Sequence, residues 1–321
     1  MQIASERESS LALLSSPLSI VVATDLTDIE QLLPHAIAQA KQTGAHVTLV
    51  HALPVPDPVL VGGNMMVEQF HAAQRARQTL DNAAHHAQAQ NIRCSAVLRE
   101  GSALDVVLAE IEERKATRLI IGTHGHGYAG QQILGHVANA LLRSVNLPVF
   151  AIGPHASNCA AHTMPRRILH PVSLTGNYRE TAAFALQLAQ TYEADLTLLH
   201  VVDLGLLRGA YVKEIFADKN RQLAELIPTP HLSSKINTVV TCGDTVPELL
   251  KLGSALEIDW ILIGLGHDFL WWSMSNNAAY QVIARSEWPV ITFRPHTAAY
   301  QPFHSLDHSK KSEASPANKH T

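Results

Sequence analysis

The sequence predicts an α/β fold built twice: two tandem, doubly wound domains, each a five-stranded parallel sheet with helices on both faces. Three observations carry this. Short apolar runs alternate with segments of helical periodicity, the order of a parallel sheet with crossover helices. That order then repeats at a nearly constant spacing. Finally, the fourth apolar run of the first copy ends in a glycine-rich loop, LIIGTHGHGYAGQQILGHVANALLRSVNLPVFAIGP over Leu119–Pro154, which reads as strand, loop, helix and strand.

The first strand is Leu18–Ala23 (LSIVVA), bounded by Thr24-Asp25. A helix follows, with Leu32, Leu33, Ala36, Ile37 and Ala40 at helical spacing and Gly44 placed to end it. Val47–Leu53 is the second strand. The segment Val67–Ala89, rich in Ala, Gln and His and free of Gly and Pro, is a helix. Cys94–Leu98 is the third strand, and Glu100-Gly101 turns into a helix with Val106, Val107, Leu108 and Ile111 apolar. The Leu119–Pro154 stretch supplies strands four and five.

Arg167–Pro171 then answers the first strand, and Leu196–Val202 answers Val47–Leu53, with Leu199-His200 matching Val50-His51. Gly243 answers Gly101, Trp260–Gly264 answers Leu119–Gly122, and Trp288–Ile291 answers Leu147–Phe150. Gly122 and Gly264 stand 142 residues apart, and Pro148 and Pro289 stand 141 apart. The expected division is a leader (1–17), a first domain (18–154), a linker (155–165), a second domain (166–295) and a disordered tail (296–321).

A net charge of −4, without Lys/Arg runs, excludes a nucleic-acid partner from the expectations. No stretch approaches the ~20 apolar residues of a membrane span. The leader is broken by charges and by Ser15-Ser16-Pro17, unlike a signal peptide, and three scattered cysteines suit a reducing compartment, so the expected location is cytoplasmic. Nineteen histidines invite a metal reading, but none of the Cys/His sets has structural-zinc spacing.

In a parallel sheet, ligands bind beyond the carboxyl ends of the strands where the winding reverses. The loops that would meet there hold Thr24-Asp25 and Gly122–Gly135. Glycines let backbone approach a ligand, and the amides at the helix start, Gly135, His136 and Val137, favour an anion such as phosphate. Asp25 would then face the other end of the ligand, act through a cation, or simply cap the turn after its strand. Gly125–Gly130 formally fits GxGxxG but follows the fourth strand, with no acid about 20 residues on, so a dinucleotide site is not expected. No Gly-Lys-Ser/Thr and no glycine-flanked serine elbow is present.

Gly122, Gly125 and Gly135, spaced Gly-x2-Gly-x9-Gly, together with strands ending in Thr24-Asp25 and Val50-His51, resemble the universal stress protein family in its tandem form. The resemblance spans nearly all of residues 18–295. It implies a sheet order of 3-2-1-4-5 and an adenine nucleotide, ATP alone or with Mg2+, as ligand. It implies that Thr24, Asp25 and Ala52 meet adenosine, that Ile121 and Gly122 line the base and ribose side, and that His124, Gly125, Gly135, His136 and Val137 surround the phosphates. His136 departs from the family's usual Ser or Thr, so altered, pH-sensitive nucleotide binding is expected. The family also implies pairing through the last strands, Val149–Ile152 and Val290–Phe293, giving an internal pseudo-dimer with room for a further homo-oligomer.

The second domain has Ser173 where Asp25 stands, and Gly264, Gly266 and Asn276-Asn277 in place of the three glycines, with Phe269–Trp272 filling the loop. It is expected to bind no nucleotide. The resulting expectation is a regulatory stress-response protein that holds ATP in its first domain and an unidentified protein partner elsewhere. No convincing set of general base and metal ligands supports the alternative of a slow ATP hydrolase. A nucleotide-free partner-binding module is the other alternative.

Overall fold

The computed structural model describes residues 18–55, 63–123, 134–153, 156, 164–176, 178–203, 211–227, 235–265 and 278–294. The leader, the tail, most of the linker, His124, Gly125, Phe269–Trp272 and Asn276-Asn277 lie outside the described residues.

The first half runs β1 (Ser19–Ala23), α1 (Ile29–Thr43), β2 (His46–Leu53), α2 (Gly63–Gln88), β3 (Cys94–Glu100), α3 (Ala103–Glu113), β4 (Arg118–Gly122), α4 (His136–Ser144) and β5 (Val149–Ile152). The second half repeats this as β6 (Arg167–Pro171), α5 (Tyr178–Tyr192), β7 (Asp195–Val202), α6 (Val212–Ala224), β8 (Ile236–Cys242), α7 (Thr245–Ala255), β9 (Trp260–Gly264), α8 (Ala278–Arg285) and β10 (Val290–Phe293). Gly44 ends α1 in the left-handed conformation, φ 68°, and its N–H donates to the Ala40 carbonyl. Gly101 and Gly243, φ 145° and 141°, make the matching turns into α3 and α7, a backbone region that a side chain would disfavour.

Each half has the order 3-2-1-4-5, but the two sheets are one. The ten strands run β3-β2-β1-β4-β5-β10-β9-β6-β7-β8. Every pairing within a half is parallel, and the central seam is antiparallel, with Val290 opposite Ala151, Ile291 opposite Phe150 and Thr292 opposite Val149. Fusing the sheets at β5 and β10 satisfies two edges that would otherwise expose unpaired backbone groups.

Alternate side chains of the strands feed two cores, because successive residues point to opposite faces. Ile20, Val22 and Leu49 lie on one face together with Ile168, Leu196 and Leu198 of the second half. Val21, Val50 and Ile121 lie on the other with Leu169, Leu199 and Ile263. Each core therefore crosses the seam. Trp260 is fully buried there, edge-on to Phe150 at 5.5 Å and to Tyr192 at 5.1 Å. Arg118 reaches across as well, donating to Gln39 Oε1 at 3.0 Å and to the Tyr192 hydroxyl at 3.3 Å.

Among the described residues, no helix is long and apolar enough to cross a membrane, and no group of three His, Cys, Asp or Glu is arranged to hold a metal ion. Burial pushes the Cys94 thiol up to about 11, the state of an inert core cysteine.

Candidate functional site

The carboxyl ends of β1, β2 and β4 converge with the N-terminus of α4 on one cavity of about 260 Å3. Its walls include Thr24, Asp25, Ala52, Ile121, Gly122, Gly135, His136 and Val137. Eight of the ten residues expected from the sequence thus surround a single space, and the other two, His124 and Gly125, lie outside the described residues. The fold places this cavity at the switch point, since β1 is central and its neighbours β2 and β4 carry chain away in opposite directions.

The loop after β1 is fixed by its own side chains. Thr24 Oγ1 accepts from the Leu26 N–H at 2.9 Å and donates to Asp28 Oδ1 at 2.5 Å. Asp25 Oδ1 accepts from the Thr27 N–H at 2.9 Å and from the Thr27 hydroxyl at 2.5 Å. Asp25 therefore caps its turn, the plainer of the roles open to it, while also lining the cavity. Leu26 sits in the left-handed region, φ 77°, and Leu174 repeats this at φ 58° in the loop after β6. The His51 ring pairs through Nδ1 with the Thr24 carbonyl at 2.9 Å, tying the end of β2 to this loop, and His200 does the same with Val172 at 2.8 Å. With a carbonyl as partner, Nδ1 is the donor.

Asp28 is a charged residue of the cavity wall that sequence reasoning missed. It lies in the wall between Thr24 and Gly122, and desolvation, reinforced by the nearby Asp25 charge and opposed by the Thr24 hydrogen bond, pushes its carboxyl up to about 6. The legible signal was its position: an Asp just before an apolar helix reads as an N-cap. Its side chain makes no cap hydrogen bond and is aimed at Thr24 instead.

Gly122 has a specific steric reason. A Cβ there would overlap the Asp28 carboxylate, so the glycine admits the start of α1 against the end of β4. Gly264 has a parallel reason in Thr181. The Gly135 amide, expected to face an anion, donates instead to the Thr123 carbonyl at 2.8 Å and closes the base of the glycine loop. His136 and Val137 then open α4, which has no side-chain cap. First-turn amides have no partner within the helix, and the helix dipole favours negative charge beside them.

At the corresponding place in the second half lies a cavity of about 360 Å3, lined by Pro171, Val172, Ser173, His200, Thr245 and Ala278 among others. Among the described residues its lining holds no carboxylate. Ser173 Oγ is engaged in its own turn, donating to the Thr175 carbonyl at 3.0 Å. A larger groove of about 1070 Å3 runs along α1 and α2 beside Tyr192. It flanks these helices and shares no lining residue with the cavity at the strand ends.

The sequence model of the universal stress protein family matches residues 18–153. A universal stress protein from Archaeoglobus fulgidus DSM 4304 superimposes with a TM-score of 0.65 at 14% identity, covering 86% of this chain and 98% of that one. A functionally unknown protein from Pseudomonas aeruginosa PAO1 superimposes with a TM-score of 0.58 at 18% identity, covering 88% and 94%. A universal stress protein from Archaeoglobus fulgidus solved in complex with dAMP aligns with 42% of this chain at 21% identity and a TM-score of 0.31, covering 96% of that chain. No curated protein matches.

Proposed function

We propose that this chain, whose residues 18–153 belong to the universal stress protein family and whose second half repeats the fold, is a nucleotide-responsive regulatory protein that binds ATP in the first half alone. The observation that carries this reading is the convergence of Thr24, Asp25, Ala52, Ile121, Gly122, His136 and Val137 on one cavity at the switch point of the sheet. At about 260 Å3 it falls just below the ~300 Å3 lower end of small-molecule pockets, a size for the base and sugar with the phosphates outside. The apolar walls from Val50, Val107, Ile121 and Leu141 suit the faces of a base. Asp25 and Asp28 supply acceptors for hydroxyl or amino donors, and they repel phosphates. The phosphates therefore lie at the α4 end, beside the His136 and Val137 amides, where imidazole adds a further donor.

The second half keeps a cavity of comparable size but has Val172 and Ser173 in place of Thr24 and Asp25. The loss of the acid is why it is assigned no nucleotide. Among the described residues the site carries donors and acceptors for binding and no group of three His, Cys, Asp or Glu arranged to hold a metal ion, and the reading takes occupancy rather than hydrolysis as the signal.

Calorimetric titration with ATP tests the proposal. Saturable binding is expected for the wild-type chain and not for Ala52→Phe, whose ring fills the cavity. Equal binding by the two proteins would place the nucleotide elsewhere.

A further inference from the structure

The second half holds α4, the helix whose N-terminus faces the first cavity, at both of its ends. At the N-terminal end the Leu134 N–H, one residue before Gly135, donates to the Tyr280 hydroxyl at 3.1 Å, and that hydroxyl lies 3.5 Å from the Leu134 carbonyl. At the C-terminal end Arg294 Nη2 donates to the carbonyls of Leu142 at 3.0 Å and Arg143 at 3.2 Å. A guanidinium there satisfies carbonyls that the helix leaves open and complements the negative end of its dipole. Tyr280 belongs to α8 and Arg294 follows β10, so both grips come from across the antiparallel seam.

The residues that make these contacts differ between the halves. The repeat pairs Val290 with Val149 and Pro289 with Pro148, which puts Asn139 where Tyr280 stands and Gly153 where Arg294 stands. Neither position of the first half carries a phenol or a guanidinium. The grip is directed at the half whose cavity retains Asp25, Asp28 and the exposed helix start.

We infer that Tyr280 is a positioning residue through which the second half sets the anion-binding start of α4, so that the degenerate copy controls nucleotide affinity in the intact one. Leu134 is buried, and the Tyr280 hydroxyl accepts from its N–H two residues before α4 begins. Fixing that amide fixes Gly135, whose own N–H closes on Thr123, and with it the direction of the His136 and Val137 amides. A ligand group lying on those amides is held better by a helix start that does not have to be ordered on binding. The inference rests on the nucleotide reading for its ligand and on the Tyr280–Leu134 hydrogen bond for its mechanism.

Tyr280→Phe in the full chain removes the hydroxyl and keeps the ring. Affinity for ATP is expected to fall about threefold to tenfold, the worth of one hydrogen bond, while affinity for adenosine, which has no phosphate to lie on α4, stays unchanged. Hydrogen exchange at the Leu134 and Gly135 amides is expected to accelerate, with protection of the β1 and β4 amides unaltered. That split separates positioning from general loosening. An equal fall for ATP and adenosine, or unchanged ATP affinity with unchanged exchange at Leu134, would overturn the inference. If the wild-type chain binds no ATP, the nucleotide reading fails by itself, and the exchange at Leu134 in Tyr280→Phe still decides whether the second half holds α4.

Discussion

Asp28→Asn is the substitution with the most sharply defined consequence. The carboxyl is raised from 3.8 to about 6 by burial in the cavity wall, with the Asp25 charge adding to the effect. A folded-state value above the unfolded one means that the folded protein binds the extra proton. Stability from this group is therefore complete below about pH 3.8 and is lost as pH rises through about 6. Raising the carboxyl from 3.8 to about 6 corresponds to about 3 kcal/mol held against the fold at neutral pH. Asparagine removes the charge and keeps an oxygen to accept from Thr24 Oγ1, at the cost of about 1 kcal/mol for a weaker hydrogen bond. The variant is expected to be more stable than the wild type by about 1–2 kcal/mol at pH 7.5 and no more stable at pH 4. Urea denaturation of both proteins, followed by far-ultraviolet circular dichroism at the two pH values, measures this directly. A difference that stays constant between pH 4 and 7.5 would refute the assignment of a buried, charge-strained carboxylate.

Two other perturbations have defined outcomes. His170 is fully buried, its Nδ1 facing the Leu262 carbonyl at 2.8 Å, and desolvation lowers it to about 4. The unfolded chain takes up the proton first, so stability is complete above about pH 6.5 and falls by up to about 3 kcal/mol towards pH 4. His170→Val, which installs the residue found at the matching Val22, is expected to flatten that acid slope, leaving the parts due to His35, lowered to about 4 by burial, and to His46 and His200, which burial also lowers. An unchanged slope in urea midpoints would contradict the assignment. Gly122→Ala is expected to cost about 1–3 kcal/mol by overpacking against Asp28. The double variant Gly122→Ala/Asp28→Ala is expected to recover part of that loss, and a strictly additive double-mutant cycle would show that the two residues do not meet.

Much of the fold was legible because its signals are local and were written twice. Val21, Leu169 and the other strand residues form short apolar runs, and Gly44, Gly101 and Gly243 stand where turns need them. Comparing one half with the other converts each weak signal into a repeated one. The fusion into a single ten-stranded sheet was carried by the family resemblance, since β5 and β10 have no residue pattern that names an antiparallel partner. At the site, the described residues flanking the glycine loop line one cavity, while two local contacts have causes that the glycine spacing does not carry. Gly122 is small because Asp28 sits against it, and the Gly135 amide is spent on Thr123, contacts between residues 94 and 12 positions apart that no spacing reveals. The grip of Tyr280 and Arg294 on α4 was invisible for the same reason, since each bond spans about half the chain.

The central claim is that one half carries a working adenine-nucleotide site and the other does not. Its most direct test is the stoichiometry of ATP binding to the full chain, measured by calorimetric titration after bound nucleotide has been stripped. The structure's asymmetry at Asp25 and Ser173 leads us to expect one ATP per chain, abolished by Ala52→Phe. Two equivalents per chain, none at all, or one that survives Ala52→Phe would contradict it.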